Sequence, residues 1–320
     1  MTIYFGLCCI NTTLRNQKPP IFCSRSCIRR TFSVEKVKKL ALQNVKDIIP
    51  MIEWNNKNHI YCFRLSSDMF PHFSDSETEK YSIDFSSDIL KKCGLLANSY
   101  KQRILMHPGQ YNQVASPKQE VFEKTIIDLQ HHANILDLME IDTNNGSLIV
   151  HGGGIYGDKE NTIRRWIERF DDLPTNVKNR LVIENCERNY NINDCLYIHE
   201  QIKIPVVFDF HHHSCYSKIY DITQSSLDEI IPQVCDTWKD RVLMHISEQG
   251  SGKIGHHSDF IETIPEELLN YERNNPSLII DLEVEAKMKE QAIFKLYTKY
   301  PHLKINDSVV SCNEIGELFK

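Results

Sequence analysis

Eight short apolar runs recur along the 320 residues at spacings that leave room for about one helix between neighbours. They are IYFGLCC (3–9), IYCFRLS (60–66), RILMHPG (103–109), SLIVHGGG (147–154), RLVIENC (180–186), PVVFDFHH (205–212), RVLMHISE (241–248) and LIIDLEVEA (278–286). Each reads as a continuous hydrophobic stretch, not as strict alternation, which suits parallel strands buried on both faces. Ser33 reads as an N-cap for a helix whose apolar face is Val34, Val37, Ala41, Val45, Ile48 and Ile52. Ser116-Pro117 reads as a cap and first-turn proline before Phe122, Ile126, Leu129, Ala133 and Leu136. Shorter helices are expected at 84–99, 158–170, 192–202, 225–236, 259–270 and 287–299. Eight strands alternating with eight helices, with no linker-like stretch, predict an α/β chain folded as a single (β/α)8 TIM barrel. The domain is expected to cover 1–320, with its core at about 3–300 and 301–320 as a C-terminal extension. A doubly wound open sheet is the alternative, but the sequence carries no P-loop.

No apolar run approaches the roughly 20 residues that span a membrane. The start, MTIYFGLCC, has no basic region of the kind that opens a signal peptide. The 11 cysteines are odd in number and scattered, with Cys8, Cys9 and Cys62 in strand-like runs. Free thiols in a reducing, intracellular compartment are therefore expected, and nucleus, cytoplasm and viral particle remain open. Cys23 and Cys27 have CxxxC spacing, yet no second Cys/His pair follows closely, which argues against a structural zinc. Net charge is −6, so there is no bulk basic footprint for nucleic acid. Locally, however, Arg15, Lys18, Arg25, Arg29, Arg30, Lys36, Lys38 and Lys39 face only Glu35. That segment reads either as a DNA contact or as a solvated face.

In a TIM barrel the chemistry sits at the C-terminal ends of the strands. The third run ends on His107, the fourth on His151 before Gly152-Gly153-Gly154, and the fifth on Glu184-Asn185. The sixth ends on Asp209 followed by His211, His212 and His213. The seventh ends on His245, with Glu248 and His256-His257 beyond it, and the eighth on Glu283 and Glu285. One such histidine is most often a hydrogen-bonded core residue. Six successive strand ends of ligand type are different, because carboxylates buried together without cations are prohibitively costly. Imidazole plus carboxylate without thiolate suits zinc, manganese or iron. The number of donors exceeds what one ion needs, so two or three ions are expected. Clustered divalent ions serve phosphoryl-ester cleavage, and the same hardware serves sugar isomerisation.

The segments MHPGQY (106–111), VHGGG (150–154), IENCE (183–187), VVFDFHHH (206–213) and VEAKMKE (284–290) resemble those of the UV damage endonuclease family. GLCCINTTLR (6–15) and FRLSSDMFPH (63–72) fit the same pattern, so the resemblance runs from about Ile3 to Gln291. It implies a barrel related to the type IV abasic-site endonucleases, with three divalent ions, manganese first and zinc, magnesium or cobalt as alternatives. It implies His107, His151, Glu184, Asp209, His212, His245, His257 and Glu285 as metal ligands, of which His107, His151, Glu184, Asp209, His245 and Glu285 are also expected to be catalytic. Glu184 would bridge two ions, one held by His107 and His151 and the other by Asp209, His245 and Glu285. His212 and His257 would hold the third, with His211, His213 and His256 as competitors. Gln110, Tyr111 and Asn11 match positions that contact DNA, the first two probing the duplex. The implied activity is nicking of duplex DNA immediately 5′ to cyclobutane pyrimidine dimers or (6-4) photoproducts, with abasic sites as a candidate further substrate. The implied products are a 3′-hydroxyl and a 5′-phosphate. The implied partner is damaged double-stranded DNA, bound by a monomer with no membrane and no organic cofactor.

Two positions depart from the family pattern. Leu7 stands where members often have an aromatic that probes the lesion. Leu243 stands where some carry a modified lysine near the metals. The competing readings are an abasic-site endonuclease on the same barrel, a sugar isomerase or epimerase, and a catalytically silent binder of damaged DNA.

Overall fold

In the computed structural model, which describes residues 2–305, all eight apolar runs become strands. They are β1 (Thr2–Cys8), β2 (Cys62–Leu65), β3 (Arg103–Met106), β4 (Gly146–His151), β5 (Leu181–Glu184), β6 (Val206–Asp209), β7 (Arg241–Ile246) and β8 (Ile279–Val284). Every pairing is parallel, neighbours follow chain order, and β8 closes on β1. The predicted (β/α)8 barrel is thus the observed one. Residues 306–320, most of the expected C-terminal extension, lie outside the described part. Pro301–Leu303 forms a 3-10 turn whose Leu303 packs into the core.

The helices are α1 (Thr12–Arg15), α2 (Val34–Lys57), α3 (Ser87–Ser99), α4 (Gln119–Leu138), α5 (Lys159–Phe170), α6 (Thr175–Lys178), α7 (Ile192–Ile202), α8 (Phe210–Tyr220), α9 (Leu227–Asp236), α10 (Glu266–Asn274) and α11 (Glu290–Lys299). Ser33 caps α2 as its sequence suggests, its side chain accepting from the Lys36 amide. Three boundaries differ from expectation. The Ser116 hydroxyl accepts from Lys118 N at 3.2 Å in a turn, and α4 starts only at Gln119. Residues 259–265 do not begin a helix, because the carboxylate of Glu248 binds the amides of Glu262 and Thr263 and Pro265 stands at the N-cap of α10. The sixth run does not stay extended to His212: Asp209 accepts from His212 N at 2.7 Å and starts α8.

The barrel interior has layers two residues apart, as the pleat requires. Cys62, Leu105, Ile149, Val182, Val207 and Leu243 form an apolar plug separate from the larger core between strands and helices. Two residues towards the strands' N-terminal ends, Asp281 binds Arg241 at 2.6 Å and Arg103 at 3.1 Å, closing that end with charge. Two residues the other way from the plug lie Arg64, His107, His151, Glu184, Asp209 and His245. Gly6 belongs to this interior because a Cβ there would stand 3.1–3.2 Å from Glu283 and Cys62. Leu7 therefore faces outward. It is fully buried in the strand–helix core. Leu243 lies in the plug one layer below His245, below the level of the strand-end polar groups. All ten described cysteines are free, and no helix among the described residues is long and apolar enough to cross a membrane.

Candidate metal centre and probe loop

The register of the strands assembles the centre. His151 pairs with Glu184 across β4 and β5, Asp209 with His245 across β6 and β7, and His245 with Glu283 across β7 and β8. Glu184 sits in the middle, 1% exposed, and its two oxygens face different partners. Oε2 is 3.0 Å from His107 Nε2 and 3.8 Å from His151 Nε2. Oε1 is 3.1 Å from His245 Nδ1 and 3.3 Å from His212 Nδ1. Beyond His245, Nε2 reaches Glu283 Oε2 at 2.8 Å. Glu285 Oε1 lies 3.8 Å from His245 Nδ1, and Glu285 Oε2 lies 3.7 Å from His257 Nε2.

Three trios of donor atoms that fall within 4.8 Å of one another overlap around Glu184 and Asp209, namely His107–His151–Glu184, Glu184–Asp209–His212 and Asp209–His245–Glu285, and a fourth, Cys8–Glu283–Glu285, adjoins the last of them. The first and third are the trios expected from the sequence. The second joins His212 to Glu184 and Asp209, whereas the expected grouping set His212 with His257. Those two rings are 6.5 Å apart between centroids. Among the three consecutive histidines, the start of α8 decides which one points at the centre. Successive helical residues are turned by about 100°, so with His212 on Glu184 its neighbours turn away. His211 contacts Cys215 Sγ at 3.5 Å, and His213 packs edge-on to Phe208. His256 is exposed on the following loop.

Four carboxylates, those of Glu184, Asp209, Glu283 and Glu285, share this buried space. The fixed cation among them is Arg64, 2.5 Å from Glu285 Oε1 and 3.3 Å from Glu283 Oε1. Protons supply further positive charge. Burial pushes the His212 imidazole down, but Asp209 and Glu184 prevail and carry it to about 11. His245 is likewise held well above its ordinary value, burial being outweighed by Glu184 and Glu283. Glu184 stays ionised far below the usual carboxylate range despite burial, because imidazoles surround it. Burial raises Asp209 to about 6 and lowers His151 to about 4. The donor set fits divalent cations on one further count: Asp209 Oδ2 is buried with no hydrogen-bond partner. Asn185 fixes that residue from behind, donating to Asp209 O at 3.0 Å and accepting from Asp209 N at 2.8 Å.

Above the centre, the chain leaves β3 through His107-Pro108-Gly109 and exposes Gln110 and Tyr111. The Tyr111 ring folds back over Gly109, where a Cβ would meet Cε1 at 2.3 Å and push the exposed ring aside. Tyr111 is 62% exposed and donates its hydroxyl to Asp128 at 3.2 Å. Gln113 ties this loop to the glycine loop after β4: its Nε2 donates to Gln110 O, and its Oε1 accepts from Gly154 N and Tyr156 OH. Asn11 lies elsewhere than on the open face. It is fully buried, its side chain caps α1 through Leu14 N at 2.9 Å, and its Nδ2 has no partner. In the basic segment, Arg25 is bound to Asp47, and Arg29 to Asp75 and Glu77, while Arg15, Lys18, Arg30, Lys36 and Lys39 stay exposed. Arg64 and Gln113 are site residues that the sequence reading passed over, and Asn185 entered it only as a strand-end residue. Only Arg64 carried a signal, standing two residues after an inward-facing strand position.

The fold and site together define a TIM barrel whose mouth holds an imidazole–carboxylate centre suited to divalent cations. A sequence profile of the family UV-endonuclease UvdE matches residues 3–315. The UV-damage endonuclease of Schizosaccharomyces pombe is 37% identical over 312 residues, covering 92% of this chain and 50% of that protein. The chain thus spans about half the length of that relative. The crystal structure of SacUVDE superposes with a TM-score of 0.81 at 32% identity, covering 93% of this chain and 99% of that one. Endonuclease IV from Thermus thermophilus shares the fold, with a TM-score of 0.55 at 12% identity over 93% of this chain and 99% of that one. The chain belongs to the UV-endonuclease UvdE family.

Proposed function

We propose that this protein is a divalent-cation-dependent endonuclease acting on damaged duplex DNA. It nicks the strand immediately 5′ to cyclobutane pyrimidine dimers and (6-4) photoproducts, accepts abasic sites as a further substrate, and leaves a 3′-hydroxyl and a 5′-phosphate. The observation that carries this reading is the division of the Glu184 carboxylate between two imidazole pairs beneath an exposed amide and phenol. His107 and His151 would hold a cation with one Glu184 oxygen, and Asp209, His245 and Glu285 another beside its second oxygen. His212 and His257 are the donors for a third. Manganese is the first choice for this set, with zinc, magnesium and cobalt as alternatives. Divalent cations bound there supply a water of lowered pKa and positive charge for the leaving oxygen.

The remaining tasks belong to the chain. Gln110 and Tyr111 enter the stack at a lesion, where kinking and flipping are cheapest. An aromatic filling the gap contributes about 1–3 kcal/mol. Gln113 keeps the Gln110 backbone in place, and Asn185 keeps Asp209 aimed at the centre. The protein works as a monomer, without an organic cofactor. The test is a labelled duplex with one site-specific cyclobutane dimer, given to chelated protein resupplied with manganese, magnesium or zinc. A single 5′-side nick restored by manganese is expected. Glu184→Ala should bind this duplex yet nick it at least about a hundredfold more slowly, since even outer-shell losses at metal sites reach 10–100-fold. Near-normal nicking by that variant would sink the metal assignment.

A further inference from the structure

The turn after β8 puts a lysine where the backbone suits glycine. Lys289 has φ 51° and ψ −122°. With Gln291 N donating to Met288 O at 3.0 Å, it takes the first central position of a type II′ turn, which glycine ordinarily fills. A side chain persists in such a conformation only where its surroundings enforce it, and such positions cluster at functional sites. Here they enforce it from both ends. Before the turn, Lys287 N and Met288 N donate to Ser258 O and Asp259 O, each at 3.0 Å, which ties the turn to the loop after β7. After it, Glu290 is fully buried. Its carboxylate accepts from Thr12 N and Thr13 N, both at 2.8 Å, and from both threonine hydroxyls. The Lys289 backbone therefore cannot relax without releasing α1.

The side chain retained by this arrangement is half-buried, and its ammonium makes no hydrogen bond or ion pair among the described residues. Its charge reaches the edge of the metal centre. Burial lowers the His257 imidazole against the pull of Glu285, and Lys289 adds to the lowering. Burial raises the Cys8 and Cys9 thiols, and Arg64 and Lys289 oppose it. Arg64 is already held by Glu283 and Glu285. Lys253 and Lys287, on the loops after β7 and β8, are exposed. Lys289 is thus an uncommitted cation on a fixed backbone beside the centre, and an ammonium so placed suits a phosphate.

We infer that Lys289 holds a backbone phosphate of the damaged strand on the 5′ side of the cut. The inference rests on the damaged-duplex reading above. The probe loop leaves β3, and Lys289 follows β8, three strands round the closed barrel. A strand with its lesion at Gln110 and Tyr111 and its cut 5′ of that lesion crosses the centre between them. Its 5′ flank then leaves the mouth away from the probe loop, on the side of the β8 turn.

The test measures affinity of metal-loaded protein for dimer-containing duplexes, all with a methylphosphonate at the scissile linkage to block nicking. A second methylphosphonate neutralises, one at a time, each of the nearest phosphates 5′ and 3′ of that linkage. At one 5′ position the unmodified protein should lose about tenfold in affinity, the worth of a charged hydrogen bond. Lys289→Ala should bind the parent duplex about tenfold more weakly, show no further loss at that position, and have a salt slope smaller by about 1. Lys289→Arg should restore the loss. Lys289→Gly should behave as Lys289→Ala towards DNA yet melt no lower than the unmodified protein, because glycine suits the turn. Coupling of Lys289 to none of these phosphates, or only to those on the 3′ side, would overturn the inference. So would a fall of several degrees in the Tm of Lys289→Gly, which would assign the side chain to the fold. In those cases dimer-specific binding leaves the damaged-duplex reading standing. Absence of dimer-specific binding by the unmodified protein would remove that reading and the inference together.

Discussion

Arg64 should stabilise the ion-free protein far more than the metal-loaded one. Its guanidinium is 12% exposed and lies 2.5 Å from Glu285 and 3.3 Å from Glu283, which are 10% and 0% exposed. In Arg64→Met the aliphatic stem is kept and the charge is lost, leaving two buried carboxylates with less compensation. Removing one partner of a buried pair costs about 3–5 kcal/mol. For a chain of this size that corresponds to a fall in Tm of roughly 4–8 °C. Divalent cations bound to Glu285 and His245 would take over much of the neutralisation, so the fall should shrink to less than half in their presence. Calorimetric melts of both proteins, chelated and then reloaded with manganese, read the difference directly. Equal losses in the two conditions would mean that Arg64 acts by packing alone and that Glu285 does not meet a cation.

Three further outcomes follow. His212 titrates near 11 without metal, so cation binding at neutral pH must displace its proton, and apparent affinity should rise about tenfold per pH unit for each proton displaced. Titration calorimetry in buffers of different ionisation enthalpy should therefore detect at least one proton released at pH 7, and none would refute the ligand role of His212. The raised value also sets the stability of chelated protein: this contribution is fully present below the unfolded value near 6.5 and is lost as pH rises towards 11. Melts between pH 7 and 11 should decline more steeply for the chelated protein than for His212→Ala. At the probe loop, Tyr111→Ala should weaken damaged-duplex binding by about 1–3 kcal/mol, the worth of one stacked base. Tyr111→Phe, which loses only the bond to Asp128, should lose much less; equal losses in the two variants would assign the effect to the hydroxyl.

Much of this was legible because parallel barrel strands write their interior in steps of two. Leu105 to His107, Ile149 to His151, Val182 to Glu184, Val207 to Asp209 and Leu243 to His245 are the same step on five strands, from the apolar plug to the open mouth. A reader of the sequence sees an apolar run ending on a ligand-type residue each time. What the sequence hides is phase and competition. Cys62 to Arg64 is the same step on β2, but an arginine inside a run reads as an edge residue until its two carboxylates on β8 and beyond are known. Leu7 is one residue out of phase, so a position that looks adjacent to the mouth belongs to the helix layer.

Competition between local structures explains the other misses. Asp209 serves as strand end, candidate ligand and N-cap at once, and its bond to His212 N turns three equivalent histidines into one that faces Glu184. Nothing in the pattern HHH distinguishes them before the helix start is fixed. Glu248 similarly takes the amides that would have begun a helix near residue 262, which delays α10 to Pro265. Asn11 shows the reverse case: a polar residue just after β1 invites a surface role, yet the short α1 needs a cap and uses its side-chain oxygen. Contact between its buried, unpartnered Nδ2 and a bound strand would require α1 to shift, so the cap and a DNA contact through Asn11 are mutually constrained. In each case a polar side chain had two local uses, and long-range packing, not residue type, decided which one was taken.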